Sequence, residues 1–259
     1  MTLAALSTPA VLVERPRLDA NIRRMQAAAT AAGIALRPHA KTHKSVLVAR
    51  RQIEAGAIGI CCAKLGEAEV FAAAGIADIR LPYPLQPVNA SRVLALTKAT
   101  RISFIVDDHE VARGWSEALS AAGAGVDVLV KIDVGFHRCG IAPAPATAVP
   151  FLRAVADLPG LRLAGILSHA GHAYHAHSED ELRGMAEAEH AAMARLAGEA
   201  RAAGVALDEV SAGATPPARF SLATGGGTVT EFRPGNYAYF DRTMVGLSLI
   251  HISEPTRPY

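Results

Sequence analysis

The sequence has few of the residues that build disulfide-stabilised or zinc-binding proteins. Only three cysteines occur among its 259 residues, and two of them, Cys61 and Cys62, are neighbours. This number and spacing do not form a disulfide framework, so we expect a reducing, cytoplasmic location. The sequence also contains no C-x-x-C or H-E-x-x-H motif of the kind that binds zinc.

Long apolar runs and clustered charge are lacking as well. No uninterrupted apolar stretch is long enough to cross a membrane, and the N-terminus has no signal-like apolar core. The 26 basic and 24 acidic residues leave a net charge of +2, with no basic stripe interleaved with aromatic residues. We therefore expect neither a membrane nor a nucleic acid as a partner.

Short apolar runs alternate with helical patterns along most of the chain. The predicted strands cover residues 34–37, 58–61, 78–81, 102–106, 126–132, 161–167, 206–211 and 228–233. The predicted helices cover residues 17–32, 45–55, 65–74, 89–97, 110–121, 146–156 and 179–203, with a short one starting near Pro217. This alternation predicts an α/β fold with a parallel sheet, and eight strands are the number that closes a (β/α)8 TIM barrel. A doubly wound open sheet is the alternative.

The two ends of the chain differ from this pattern. Residues 10–14 predict an additional strand, and we assign residues 1–15 to a second, β-rich domain and residues 16–246 to the barrel. Residues 247–259, which begin Leu247-Ser-Leu-Ile-His-Ile-Ser-Glu-Pro-Thr-Arg257, resemble the translation of a sequencing adaptor. We expect a non-native tail there, and a protein cut off near Gly246 with its C-terminal β-domain truncated away.

The first strand ends in the most informative stretch, Arg37-Pro-His-Ala-Lys-Thr-His-Lys44. In a barrel of this type the chemistry lies where strands end and loops begin. Lys41 stands between His39 and His43, and cationic neighbours lower the pKa of a lysine amine, which can then attack a carbonyl. Lys41 is therefore the candidate covalent residue, and we expect its competitor Lys44 to face solvent. An ordinary basic surface loop is the alternative.

A histidine-rich segment, Ser168-His-Ala-Gly-His-Ala-Tyr-His-Ala-His-Ser178, follows the sixth strand. It supplies the candidate catalytic residues His169, His172, Tyr174 and His175. So many histidines at one strand end indicate acid/base work or metal ligation. No carboxylate has metal-ligand spacing before Glu179 and Asp180, which we expect to lie at the start of the next helix.

Two segments rich in small residues predict an anion site. Ser211-Ala-Gly-Ala-Thr-Pro216 follows a strand and precedes a helix, so its backbone N–H groups can point at a phosphate. We expect the N–H groups and phenol of Arg233-Pro-Gly-Asn-Tyr237 to close the same site. The candidate phosphate residues are Ser211, Gly213, Ala214, Thr215, Gly235, Asn236 and Tyr237. An ordinary Gly-Pro turn is the alternative for the first segment.

Arg138 follows a glycine turn at the end of the fifth strand. A guanidinium in that position can hydrogen-bond a phenolate or a carboxylate. The alternative is a surface ion pair with Asp133 or Asp107.

These segments together resemble the D-threonine aldolase and D-serine dehydratase family, pyridoxal-phosphate enzymes of fold-type III with an alanine-racemase-type barrel. The similar segments are Arg37–Lys44, Cys62-Ala-Lys-Leu-Gly-Glu-Ala-Glu-Val70, Leu81-Pro-Tyr-Pro-Leu85, Ile132-Asp-Val-Gly135 with Arg138-Cys-Gly140, and the two small-residue segments. The resemblance implies that Lys41 binds the cofactor covalently and that Arg138 contacts its ring oxygen. It also implies that Ser211, Gly213, Ala214, Gly235 and Asn236 surround the phosphate, and that Tyr174 and a histidine of the 169–175 loop face the substrate.

The same resemblance implies a lyase that acts on a D-β-hydroxy amino acid, most simply a D-threonine aldolase. A divalent metal (Mn, Mg or Zn) is expected in the full-length protein, with ligands in the C-terminal domain, so a truncated chain would turn over little substrate. Three alternatives stay open: D-serine or D-3-hydroxyaspartate dehydration, amino-acid racemisation, and a carrier that binds pyridoxal phosphate without turnover. A homodimer is also left open.

Overall fold

A computed structural model describes residues 5–225 and 227–240 of the chain. Within these residues, eight strands alternate with eight helices. The strands are β1 (Ala35–Leu36), β2 (Ile60–Cys61), β3 (Asp78–Pro84), β4 (Arg101–Val106), β5 (Val126–Lys131), β6 (Leu161–Leu167), β7 (Glu209–Ala212) and β8 (Glu231–Phe232). The helices are α1 (Arg15–Ala31), α2 (Val46–Glu54), α3 (Leu65–Ala73), α4 (Ala90–Leu96), α5 (His109–Ala121), α6 (Pro145–Ala156), α7 (Glu179–Ala202) and α8 (Ala218–Ala223). None of them combines the length and apolarity of a membrane span in this part of the chain.

All strand pairs are parallel, in the order β1-β8-β7-β6-β5-β4-β3-β2. The sheet curls until its two edge strands meet, because Ile58 N donates to Leu36 O at 2.9 Å and Cys61 N donates to Pro38 O at 2.7 Å. An isolated parallel bridge between His39 and Cys61 continues this seam. The predicted eight-stranded α/β barrel is confirmed, and the open doubly wound sheet is excluded.

The helices form where the sequence supplies an apolar face and a terminal cap. In α1, the predicted face of Leu18, Ile22, Met25 and Ala29 is buried against the barrel. Ser178 caps the start of helix α7, because its hydroxyl accepts a hydrogen bond from Glu181 N at 3.1 Å. The first turn of the helix is acidic, as expected. Acidic side chains there interact favourably with the helix dipole.

The predicted strand over residues 10–14 is not formed. Val11 has 93% of its surface exposed, and the described residues offer this segment no strand to pair with. An extended segment becomes a strand only when a neighbour takes up its backbone hydrogen bonds. Its assignment to a second domain stays a prediction, and the predicted tail at residues 247–259 lies outside the described residues.

The interior of the barrel contains a buried ionic cluster centred on Glu231 of β8. Its carboxylate accepts hydrogen bonds from Arg37 Nε at 2.6 Å, Arg80 Nη1 at 2.7 Å and Ser211 Oγ at 2.5 Å. Burial opposes ionisation of Glu231, but Arg80 and Arg37 outweigh it and lower its pKa to about 2. The cluster therefore joins β8 to β1, β3 and β7 by side chains.

Replacement of Glu231 by glutamine should destabilise the fold strongly. The variant removes the buried charge that Arg37 and Arg80 share, although each keeps one other carboxylate partner, Asp78 and Glu209. Breaking a buried ion pair costs about 3–5 kcal/mol, so we expect a loss near the lower end of that range. Chemical denaturation of E231Q and wild type at neutral pH measures the difference. Glu69→Gln is the matched control, because Glu69 makes an exposed ion pair with Arg92 and should change stability little. Equal effects in the two variants would contradict the role assigned to the cluster.

The same carboxylate makes a pH-dependent contribution. Its folded-state pKa of about 2 lies below the ~4.3 of an unfolded glutamate. Its stabilisation is therefore complete above ~4.3 and is lost as the pH falls towards 2. The stability of wild type should fall more steeply than that of E231Q across this window.

Candidate active site

A cavity of about 290 Å³ opens at the carboxyl ends of the strands. Its lining consists of His39, Lys41, Ala63, Pro82, Tyr83, Arg138, Leu167, His169, Tyr174, Gly213, Ala214, Thr215, Arg233 and Gly235. These residues lie at the carboxyl ends of β3 and β6 or in the loops that follow β1, β2, β5, β6, β7 and β8. The barrel thus brings together most of the strand-end residues that the sequence predicted.

Lys41 lies in a short 3-10 turn, Ala40–Thr42, directly after β1. The preceding His39 accepts a hydrogen bond from Lys41 N at its Nδ1, at 3.3 Å, and so fixes the start of the turn. Lys41 lines the cavity, where the surrounding side chains partly bury its amine, although the residue as a whole stays exposed to solvent. This burial lowers the pKa of Lys41, and the nearby Arg138 guanidinium lowers it further. Lys44 points to solvent, 3.5 Å from Glu67, and does not line the cavity.

Two neutral histidines stand on the cavity wall. Burial lowers the pKa of His39 and of His169 well below the usual range, and in both cases the charge of Lys41 adds to the effect. His169 Nδ1 lies 3.4 Å from Gly213 O. Because a carbonyl only accepts, Nδ1 carries the proton, and Nε2 keeps the lone pair. His169 can therefore accept a proton from a bound molecule.

Arg138 is held over the cavity by aromatic rings. Its guanidinium carbon lies 5.3 Å from the centre of the Tyr83 ring and 4.9 Å from that of Phe136. The alternative ion pairs are not formed, since Asp133 binds His137 Nδ1 at 2.8 Å and Asp107 accepts from Gly140 N at 2.7 Å. The guanidinium is thus presented to the cavity without a carboxylate partner in the part of the chain that is described.

The predicted phosphate residues divide into two groups. The N–H groups of Ala214 and Thr215 have no protein acceptor among the described residues, so they can donate to an anion in the cavity. In contrast, Gly235 N and Asn236 N donate to Thr215 Oγ1 at 3.1 and 3.0 Å. The open half of the cradle is therefore the 213–215 loop, and the 235–236 turn supports it from behind.

Ser211 and Tyr237 do not line the cavity. The Ser211 hydroxyl donates to Glu231 and accepts from Arg233 Nη1, inside the barrel. The Tyr237 hydroxyl is buried and accepts a hydrogen bond from Gln52 Nε2 at 3.0 Å. The structure therefore gives both side chains a place behind the cavity wall instead of a direct contact.

The histidine-rich segment contributes only in part. His169 and Tyr174 line the cavity, whereas His172 and His175 do not. His175 is exposed, and the His172 ring lies against Gly135. The Nδ1 atom of His172 is buried and has no hydrogen-bond partner in the described part of the chain. No group of three or more metal-ligating side chains lies together within residues 5–225 and 227–240.

Arg233 is the main cavity residue that the sequence did not identify. It is 5% exposed, and it donates to Ser211 Oγ and Ser168 O while its side chain lines the cavity. It is the first residue of the Arg233-Pro-Gly-Asn-Tyr237 segment, whose N–H groups and phenol were the groups predicted for the site. With Lys41 and Arg138 it makes three cationic side chains in a lining that contains no carboxylate. Such a lining suits an anionic ligand.

Lys131 lies beside the cavity but behind its wall. It is 3% exposed, and its Nζ has no hydrogen-bond partner within the described residues. Burial, reinforced by the charge of Arg233, lowers its pKa to about 7. Lys131 is therefore only partly protonated near neutral pH.

Comparison with known proteins identifies the family. The sequence-family model of the alanine racemase N-terminal domain matches residues 13–243. The chain belongs to this family. It is 37% identical over 240 residues to a D-threonine aldolase from an Arthrobacter species, and 38% identical over 247 residues to D-threo-3-hydroxyaspartate dehydratase from Delftia sp. strain HT23. The matches cover 92% and 94% of this chain, but only 62% and 64% of those relatives.

Solved structures agree with this assignment. The crystal structure of D-threonine aldolase from Filomicrobium marinum superposes with a TM-score of 0.92 at 33% identity, over 98% of this chain and 68% of that one. A metal-free C353A mutant of D-threo-3-hydroxyaspartate dehydratase superposes with a TM-score of 0.90 at 37% identity, over 95% and 64%. The fold-type III barrel recognised in the sequence is confirmed.

Removal of the Arg138 charge should raise the pKa of Lys41. Burial remains in Arg138→Met, but the neighbouring cation that disfavours the charged amine is gone. We expect the pH midpoint for acetylation of Lys41, followed by peptide mass spectrometry, to move upwards. Arg183→Met removes a cation outside the cavity, stacked on Phe220, and should leave the midpoint unchanged. A midpoint that is the same in R138M and wild type would refute this account of the Lys41 environment.

Proposed function

We propose that the chain forms the cofactor-binding barrel of a pyridoxal-phosphate-dependent lyase that acts on D-3-hydroxy amino acids. The observation that carries the proposal is the cavity itself. It combines a lysine of lowered pKa, a guanidinium that has no carboxylate partner among the described residues, and two open backbone N–H groups. All of them face one space whose lining contains no carboxylate. These groups fit an aldehyde, a phenolate and a phosphate on one molecule. The names of the relatives support the substrate class.

In this proposal Lys41 binds the cofactor aldehyde, because its lowered pKa favours the neutral, nucleophilic amine. Arg138 donates to the ring oxygen, and the N–H groups of Ala214 and Thr215 donate to the phosphate. Arg233 supplies positive potential from the side of the cavity that faces the barrel interior. When bound, pyridoxal phosphate accepts the electron pair released by a bond that breaks at the substrate's α-carbon.

The substrate's hydroxyl proton needs an acceptor in the cavity. His169 is neutral and its Nε2 carries a lone pair, and Tyr174 lies on the same wall. We assign proton transfer at the hydroxyl oxygen to these two residues, since His175 and His172 stand outside the lining. The described residues offer no ligand set for a divalent metal, and the metal ligands expected in a C-terminal domain stay a prediction.

Aldol cleavage is the first candidate reaction, and dehydration is the second. The relatives at 37% and 38% identity include one enzyme of each name, so sequence similarity does not separate the two. The products do, since D-threonine gives glycine and acetaldehyde by cleavage, but 2-oxobutanoate and ammonia by dehydration. A carrier would bind the cofactor and give neither pair.

Borohydride reduction of the chain loaded with pyridoxal phosphate should attach the cofactor to Lys41. Peptide mapping identifies the labelled lysine. Lys41→Ala should lose the label, whereas the control Lys44→Ala should keep it, because Lys44 lies outside the cavity. Label on Lys44 or Lys131 in the wild-type chain would refute the site. Product analysis with D-threonine, with and without added manganese or zinc, then distinguishes aldol cleavage, dehydration and cofactor binding without lyase activity.

A further inference from the structure

A buried glutamine links the two loops that shape the proposed cofactor site. Gln52 of α2 is 1% exposed and does not line the cavity. Its Oε1 lies 3.2 Å from His43 Nε2, in the loop that carries Lys41. Its Nε2 donates to the Tyr237 hydroxyl at 3.0 Å, in the turn that follows β8.

The direction of each hydrogen bond in the series from Ser45 through His43 and Gln52 to Tyr237 is fixed. Ser45 N donates to His43 Nδ1 at 3.1 Å, so Nδ1 carries the lone pair and Nε2 carries the proton. His43 Nε2 therefore donates to Gln52 Oε1, and Gln52 can then donate only to Tyr237. Burial lowers the pKa of His43 to about 4, so the imidazole is neutral at physiological pH and this series of hydrogen bonds is kept.

The two loops are also in direct contact. His39 N donates to Pro234 O at 2.9 Å. A side chain on Gly235 would come within 3.2 Å of both His39 Cβ and Thr42 Oγ1. Gly235 N in turn donates to Thr215 Oγ1, which belongs to the open phosphate cradle. The lysine turn, the Gly235 turn and the cradle are thus successive layers of one assembly.

We propose that Gln52 is a positioning residue that holds the Lys41 loop and the Gly235–Tyr237 turn in register, through His43 and the Tyr237 hydroxyl. It acts behind the cavity wall and touches neither cofactor nor substrate. Its effect is to set the distance between the Lys41 amine and the phosphate cradle. The inference rests on the proposed function and adds to it a residue that the cavity does not show.

The test compares pyridoxal phosphate with pyridoxal, which lacks the phosphate. If Gln52 fixes the position of the Lys41 amine relative to the phosphate cradle, the binding of pyridoxal phosphate should depend on Gln52, because this ligand contacts both groups. The binding of pyridoxal should depend on it much less, because it has no phosphate. Gln52→Leu should weaken the binding of pyridoxal phosphate about tenfold, a typical cost of losing buried hydrogen bonds, and should weaken that of pyridoxal much less. The readout is the ratio of the two dissociation constants, obtained by spectroscopic titration of the 259-residue chain.

Gln52→Glu is the conservative variant. Its carboxylate can accept from both His43 Nε2 and the Tyr237 hydroxyl, whose proton rotates freely, so the ratio should stay near that of wild type. Thr100→Val is the matched control, because it removes another buried hydrogen bond, Thr100 Oγ1 to Ile76 O at 2.9 Å, near the amino end of β4. It should lower the melting temperature and leave the ratio unchanged.

An unchanged ratio in Q52L, or an equal loss in Q52E, would overturn the inference. If Q52L does not fold, Tyr237→Phe removes the hydroxyl alone and keeps the ring. It should shift the ratio in the same direction, and no shift would also overturn the inference. If borohydride reduction labels Lys41 in wild type, but wild type and Q52L give the same ratio of dissociation constants, this inference alone is refuted. A wild-type chain that binds neither ligand would refute the proposed function and the inference with it.

Discussion

The carboxylate of Glu231 lies where four strands of the barrel approach each other. Strands β1, β2 and β8 have two residues each, so the backbone contributes few hydrogen bonds to this part of the sheet. Glu231 compensates with side-chain bonds to Arg37, Arg80 and Ser211. Since Arg233 is bonded to the same Ser211 hydroxyl, the position of a cavity cation depends on this ionic core.

The fold could be predicted well from the sequence, because a parallel barrel requires apolar strands that alternate with helices and the sequence shows this alternation. Residues 161–167 match β6 in full, and the other predicted strands overlap the observed ones. Predicted and observed ends differ most where strands are short. Residues 58–61 and 206–211 were predicted as strands, but only Ile60–Cys61 and Glu209–Ala212 form them, and Ile58 is 48% exposed. An apolar pattern indicates a buried segment, whereas a strand also needs a neighbouring strand to pair with.

The site was predictable where position along a strand decides the outcome. Lys41, Arg138 and the 213–215 loop follow strand ends, and parallel strands end at one mouth. The direction of a side chain was not predictable in the same way. Tyr237 points backwards to Gln52, and Arg233 points into the cavity from a motif noted for its N–H groups. Such directions depend on tertiary contacts that local sequence does not encode.

The shared Ser211 hydroxyl has a practical consequence for enzyme engineering. The Ser211 hydroxyl has one proton, which it donates to Glu231. Its oxygen accepts the hydrogen bond from Arg233, so both residues depend on this one side chain. A mutant library that randomises Arg233 or Ser211 to widen the substrate range would disturb the barrel interior together with the cavity. Tyr83 lines the same cavity, is 46% exposed and contacts the Arg138 guanidinium, so a change at this position disturbs the barrel interior less.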